Sequence, residues 1–125
     1  MVLLFKLRVF PYLETPTMPF QTIPEMFAAY QKTFDPAETV GVDAVIQMHL
    51  DGEGGGDYHF VIKDQTMNIV EGTHDDPDVT VKTTVENWLK VNNGELNPMM
   101  AMMTGKVKVS GDLILATRLQ TLLGM

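Results

Sequence analysis

Between Ala44 and Lys63 the chain alternates apolar and polar side chains twice, with a glycine-rich turn between the two runs. Ala44, Ile46, Met48 and Leu50 fall on one face, and Val45, Gln47, His49 and Asp51 on the other. Tyr58, Phe60 and Ile62 resume the pattern after Gly52 to Gly56. A period of two belongs to a strand with one buried face, so the spacing predicts a β-hairpin. Taken as symmetric about its turn, the hairpin sets Asp51 opposite Asp57, His49 opposite His59, Leu50 opposite Tyr58 and Met48 opposite Phe60. Residues 63–66 then predict a tight turn into a strand over 67–70, followed by a polar loop over 72–78. Residues 78–83 read as a further strand with Val79 and Val81 inward. Residues 106–110 alternate once more, with Val107 and Val109 inward and Lys106 and Lys108 on the solvated side.

Elsewhere the period lengthens to that of a helix. Thr22 and Glu25 have capping-box spacing, and Met26, Phe27, Tyr30 and Phe34 then share one face up to Asp35-Pro36. Thr83 and Glu86 repeat the box ahead of Val85, Trp88 and Leu89, and Asn93-Gly94 closes that helix. Asn97 can cap a short helix with Pro98 at its first position, and Gly105 ends it. Gly111-Asp112 turns the chain and caps a last helix with leucines at helical spacing. Helices over 23–34, 84–92, 98–104 and 112–123 thus offer apolar faces to five half-apolar strands. The expected fold is α+β: a five-stranded, mostly antiparallel sheet with one face covered by four helices.

At 125 residues the chain is one domain with room for one core. Apolar content of 45% and charged content of 20% are ordinary, but ten methionines are not. Met is flexible and polarizable, which suits either an irregular core or a plastic binding cavity. The net charge of −7 argues against nucleic acid and against permanent docking on anionic membranes. With no cysteine there is neither disulfide nor thiolate chemistry, which fits a reducing cytoplasm. In the first ten residues Lys6 and Arg8 follow the apolar run instead of preceding it, unlike a signal peptide, and the run is too short to span a bilayer. That segment fits a strand or a strip lying on an exposed apolar groove.

Several apparent motifs dissolve on inspection. His49, His59, Asp51 and Asp57 converge on the outer sheet face in the symmetric register, a metal-ligand set by type. The two carboxylates repel and nothing fixes the ligands from behind, so no metal site is expected. The run Asp51 to Asp57 lacks the Gly-Lys-Ser/Thr ending of a phosphate loop and opens no helix. Asp75, Asp76 and Asp78 lack the closing Glu of a calcium loop. With one serine, Ser110, and no cysteine, an acyl-enzyme mechanism has almost nowhere to sit.

The stretch from Asn97 to Gln120 is more specific. It resembles the sterol carrier protein type-2 lipid-transfer domains, whose C-terminal half reads Asn-Pro, two variable residues, Ala-Phe-Met, one residue, then Gly-Lys-Leu-Lys-Ile. Gly-Asp-Met and Leu-Ala-x-x-Leu-Gln follow. Asn97, Pro98, Ala101, Met103, Gly105, Lys106, Lys108, Gly111, Asp112, Leu115, Ala116, Leu119 and Gln120 match. Met102 stands where the family has Phe, and Leu113-Ile114 where it has Met-Gly. A weaker likeness extends back to about Ile23.

The resemblance implies a non-enzymatic carrier of fatty acids, fatty acyl-CoA, sterols or other lipids, without a cofactor. It implies an apolar tunnel between the inner sheet face and the C-terminal helices. Its expected walls are Phe60, Ile62, Trp88, Leu89, Met99, Met102, Met103, Leu115, Leu119 and Leu122, with Thr117 and Gln120 placed to meet a headgroup. The expected partners are a lipid or acyl-CoA ligand, without nucleic acid or stable membrane insertion, and with room for a protein partner or a homodimer. The rival reading is an accessory module that dimerises or presents lipid to a partner enzyme. Residues 1–17 have no counterpart in the family and read as an N-terminal extension, leaving 18–125 as the lipid-binding domain. The ending Leu122-Leu123-Gly124-Met125 lacks the Ser-Lys-Leu type of peroxisomal signal, so a cytoplasmic location is expected.

Overall fold

Five strands form one sheet in the order β3-β2-β1-β4-β5 in the computed structural model, which describes residues 20–124. The strands are β1 (Ala44–Asp51), β2 (Gly56–Lys63), β3 (Thr66–Glu71), β4 (Val79–Thr84) and β5 (Val107–Gly111). Every neighbouring pair is antiparallel except β1 with β4. The expected extension over residues 1–17 lies outside the described residues. Register carries the apolar pattern across the sheet in rows. Ile69, Phe60, Ile46 and Val79 align across four strands, and Tyr58, Met48, Val81 and Val109 form the next row.

The hairpin closes in a different register from the symmetric one. His49 lies opposite Asp57, Met48 opposite Tyr58, Ile46 opposite Phe60 and Leu50 opposite Gly56. So His49 does not face His59, and Asp51 does not face Asp57. The cause sits in the turn. A Cβ on Gly55 would stand 2.1 Å from the Leu50 carbonyl oxygen, a contact open only to glycine, and Gly56 joins the strand instead of the loop. Charge agrees with this outcome, since the symmetric register would oppose two carboxylates. The observed one brings His49 Nδ1 to 2.6 Å from Asp57 Oδ1. The shift is by an even number of residues, so the inward face is unchanged.

The helices are α1 (Ile23–Thr33), α2 (Val85–Asn92), α3 (Pro98–Met103), α4 (Leu113–Ala116) and α5 (Leu119–Leu123), with a 3-10 turn over Pro36–Thr39. Thr22 caps α1 by accepting the Glu25 N–H, and Glu25 reaches back to the Gln21 N–H. Ile23, Met26, Phe27 and Tyr30 form its buried face. Phe27 meets Tyr58 and Phe60 edge-on, with ring centroids 4.9 and 5.2 Å apart. Thr84 and Asn97 cap α2 and α3 through their side-chain oxygens.

Two expectations change at the C-terminal end. The single helix over 112–123 is broken after Ala116. The Thr117 hydroxyl donates to the Ile114 carbonyl at 2.6 Å, and Arg118 leaves the helical region at φ −102°, ψ 4°. The break re-aims the leucines: Leu119, Leu122 and Leu123 are buried, while Leu113 and Ile114 stand exposed. Nor do α3 and α4 bring broad apolar faces to the sheet. Only Ala101 of α3 is buried, and α4 has no fully buried residue, because each is too short to turn more than one side chain inward.

Candidate functional site

The expected wall residues fall into two groups. Phe60, Ile62, Trp88, Leu119 and Leu122 are buried in one cluster with Phe27, Tyr30, Met48 and Val81, and Leu89 and Leu115 pack against it half-buried. This surface joins the inner sheet face to α1, α2 and α5. Met99, Met102 and Met103 stand apart from it, 67%, 47% and 75% exposed on α3. Thr117 and Gln120 are exposed too, and the Thr117 hydroxyl is already engaged by Ile114. Two surface depressions touch none of these residues. One, of about 580 Å³, lies over Glu25, Ala28, Ala29, Gln31 and Lys32; the other, of about 300 Å³, lies beside Gly41 and Lys63 to Gln65.

Few polar groups enter the apolar cluster, and those that do are mostly tied down. The Tyr30 hydroxyl donates to Asn92 Oδ1 at 2.6 Å, and Asn92 Nδ2 donates to the Trp88 carbonyl at 2.7 Å. Burial pushes the Tyr30 phenol well above its ordinary range, so it stays protonated and able to donate. The Trp88 indole N–H is buried with no hydrogen-bond partner among the described residues. An apolar surface with so little polar content can hold hydrocarbon by area but can direct little chemistry.

On the opposite face the histidines separate. His49 pairs with Asp57, whereas the His59 ring lies 5.3 Å from the His74 ring and its Nδ1 bonds the Gly72 carbonyl at 2.9 Å. No group of three metal-ligating side chains forms among the described residues. Sequence reasoning missed Gln47. Alternation places it outward, yet it is buried because residues 72–74 fold over it. Its amide donates to the Tyr58 and Gly72 carbonyls, and its oxygen accepts the His74 N–H at 2.7 Å. A lone glutamine on a strand's solvated face carries no signal of that loop. Another long-range clasp went unread: Asn93 accepts the Phe20 N–H and donates to the Phe20 carbonyl, fixing the entry to α1 against the end of α2.

The sequence model of the SCP-2 sterol transfer family matches residues 27–124. Hydroxysteroid dehydrogenase-like protein 2 of Rattus norvegicus is 30% identical over 105 residues, 83% of this chain and 20% of that protein. The chain therefore spans about a fifth of the length of the curated relatives it matches. Among solved structures, palmitated SCP2L2 from Aedes aegypti is 27% identical with a TM-score of 0.63, covering 85% of this chain and 95% of that one. The sec-alkylsulfatase Pisa1 from Pseudomonas sp. shares the fold at 22% identity and a TM-score of 0.68, over 83% of this chain and 16% of that enzyme.

Proposed function

The chain belongs to the SCP-2 sterol transfer family, and we propose that it binds and transfers apolar ligands without acting on them chemically. The ligand class is fatty acids, fatty acyl-CoA, sterols or related lipids. The observation that carries the reading is the family match over residues 27–124, which takes in every buried residue of the apolar cluster except Ile23 and Met26. The palmitated mosquito relative supports a long acyl chain as one such ligand. Cargo would lie between the inner sheet face and the C-terminal helices, against Phe60, Ile62, Trp88, Leu89, Leu115, Leu119 and Leu122. Met99, Met102 and Met103 would close over it from α3, with Thr117 and Gln120 at the headgroup end. Residues 18–125 would form this domain and residues 1–17 an N-terminal extension to it.

A second reading is favoured by one fact: the curated relatives are far longer than this chain. A domain of this kind can present lipid to a partner enzyme, and the two readings share the same cargo. Among the described residues no helix is long and apolar enough to cross a membrane, and the location proposed for the chain is the cytoplasm. Recovery of the native protein wholly in a membrane or secreted fraction would contradict it.

The test is displacement. An environment-sensitive fatty acid probe should bind the purified chain one-to-one, and an unlabelled long-chain fatty acid should displace it at micromolar concentration. If neither fatty acid, acyl-CoA nor sterol competes, the carrier reading fails.

A further inference from the structure

Met99, Met100, Met102 and Met103 on α3, with Leu113 and Ile114 on α4, are all large, apolar and 47–80% exposed. Helix α3 leads into β5 and α4 leads out of it, and both pack on that strand. Among the described residues, strand β5 is the edge of the sheet and pairs with β4 alone. Beyond its end, the Asp112 N–H reaches the Asp78 carbonyl at 2.8 Å. Alternation along an antiparallel strand then turns the backbone groups of Lys108 and Ser110 toward β4. Those of Val107, Val109 and Gly111 point to the open side. So a row of backbone donors and acceptors unused among the described residues is flanked at both ends by apolar side chains. Such an edge is a ready template for another strand, and exposed apolar surface beside it marks an interface.

We propose that this edge pairs with β5 of a second copy, antiparallel, about a two-fold axis through Val109. The sequence Lys106-Val107-Lys108-Val109-Ser110-Gly111-Asp112 is self-complementary about that residue. Pairing there sets Val109 against Val109, Val107 against Gly111, Lys108 against Ser110, and Lys106 against Asp112 of the second copy. Each row is either apolar or free of like charge, as cross-strand pairs require. A register centred on Lys108 would oppose two lysines. The same axis carries α3 of one copy alongside α4 of the other. Ala101 and Leu115 both join the core cluster, so the two helices lie on the core side of their sheets and their exposed side chains meet.

Dimerisation of this kind needs no cargo, so it goes beyond the carrier reading and can fail while that reading stands. The test is sedimentation velocity of the lipid-free full chain over rising concentration, with hydrogen exchange at Val107, Val109 and Gly111. A monomer–dimer equilibrium is expected, with those amides slowing as dimer forms. Ser110→Lys puts a cation opposite Lys108 and should weaken association roughly fivefold, whereas Ser110→Glu should tighten it by a similar factor. Leu113→Gln with Ile114→Gln should weaken it at least about tenfold. All three positions are exposed, so unfolding midpoints should match the parent and rule out misfolding as the cause. A chain that stays monomeric with freely exchanging edge amides overturns the proposal. So does a dimer indifferent to residues 110, 113 and 114, which uses another face. Slow edge amides in a monomer also overturn it, by giving the edge to the chain's own first residues.

Discussion

Tyr30 carries a hydroxyl into the core and keeps it satisfied. Its bond to Asn92 joins α1 to α2, and burial holds the phenol protonated. Tyr30→Phe should lower stability by about 1 kcal/mol, the usual net value of one hydrogen bond. The pH dependence has a definite sign. The unfolded chain ionises Tyr30 near its ordinary pKa of about 10, while the folded chain does so only at higher pH. Above about pH 10 the unfolded state therefore holds fewer protons, and stability falls as pH rises. Denaturant midpoints across that range should fall less steeply in Tyr30→Phe than in the parent. The methionines behave oppositely to core residues. Phe60 and Leu122 are fully buried, so their Ala variants should each lose roughly 2–5 kcal/mol. Met102→Ala and Met103→Ala should each lose less than about 1 kcal/mol, as exposed positions do. Denaturant unfolding checks both, and a loss of several kcal/mol at Met103 would mean that α3 packs inward in solution.

The hairpin shows what alternation can and cannot reveal. Ala44 to Leu50 and Tyr58 to Ile62 declare their buried faces because a slip of one residue would flip every side chain. A slip of two preserves both faces, so the pattern alone could not choose between His49 opposite His59 and His49 opposite Asp57. The turn decided it through Gly55, whose backbone lies against Leu50. Gly55→Ala should therefore cost more than the usual loop substitution, about 2 kcal/mol or more, because the obstructing atom is backbone and cannot swing away. A midpoint unchanged in Gly55→Ala would show that the turn takes another path. The C-terminal break was hidden for a related reason. Leu115, Leu119 and Leu122 have helical spacing, and nothing in that spacing marks where Thr117 bonds backward to Ile114. The exposure of the methionine helix was likewise not legible: Met99, Met102 and Met103 share a side, and six residues anchored by Ala101 leave that side in solvent.

At the level of the molecule, the architecture was legible because five strands each declared one apolar face and four stretches declared helical ones. The family was legible from a motif concentrated in residues 97–120, which no single periodicity contains, whereas the strand order β3-β2-β1-β4-β5 was not read. What escaped was long-range polar closure, such as Gln47 under residues 72–74, since hydrogen bonds between distant segments leave no local pattern. The division between buried apolar surface and exposed polar ends also sets an expectation for cargo. Each CH₂ moved from water to an apolar surface contributes about 0.8 kcal/mol, so lengthening a fatty acid by about four methylenes should tighten binding by roughly 3 kcal/mol. An exposed polar contact contributes about 0–1 kcal/mol, and Thr117 and Gln120 are both exposed. Replacing the carboxylate with an alcohol, or Gln120 with Ala, should therefore change affinity by less than about 1 kcal/mol. Affinity should rise with chain length and then level off once the proposed site against Phe60, Leu119 and Leu122 is filled. Titration calorimetry across a homologous series separates the two contributions. A flat dependence on length combined with a large loss in Gln120→Ala would mean that the headgroup, not the chain, is what this domain reads.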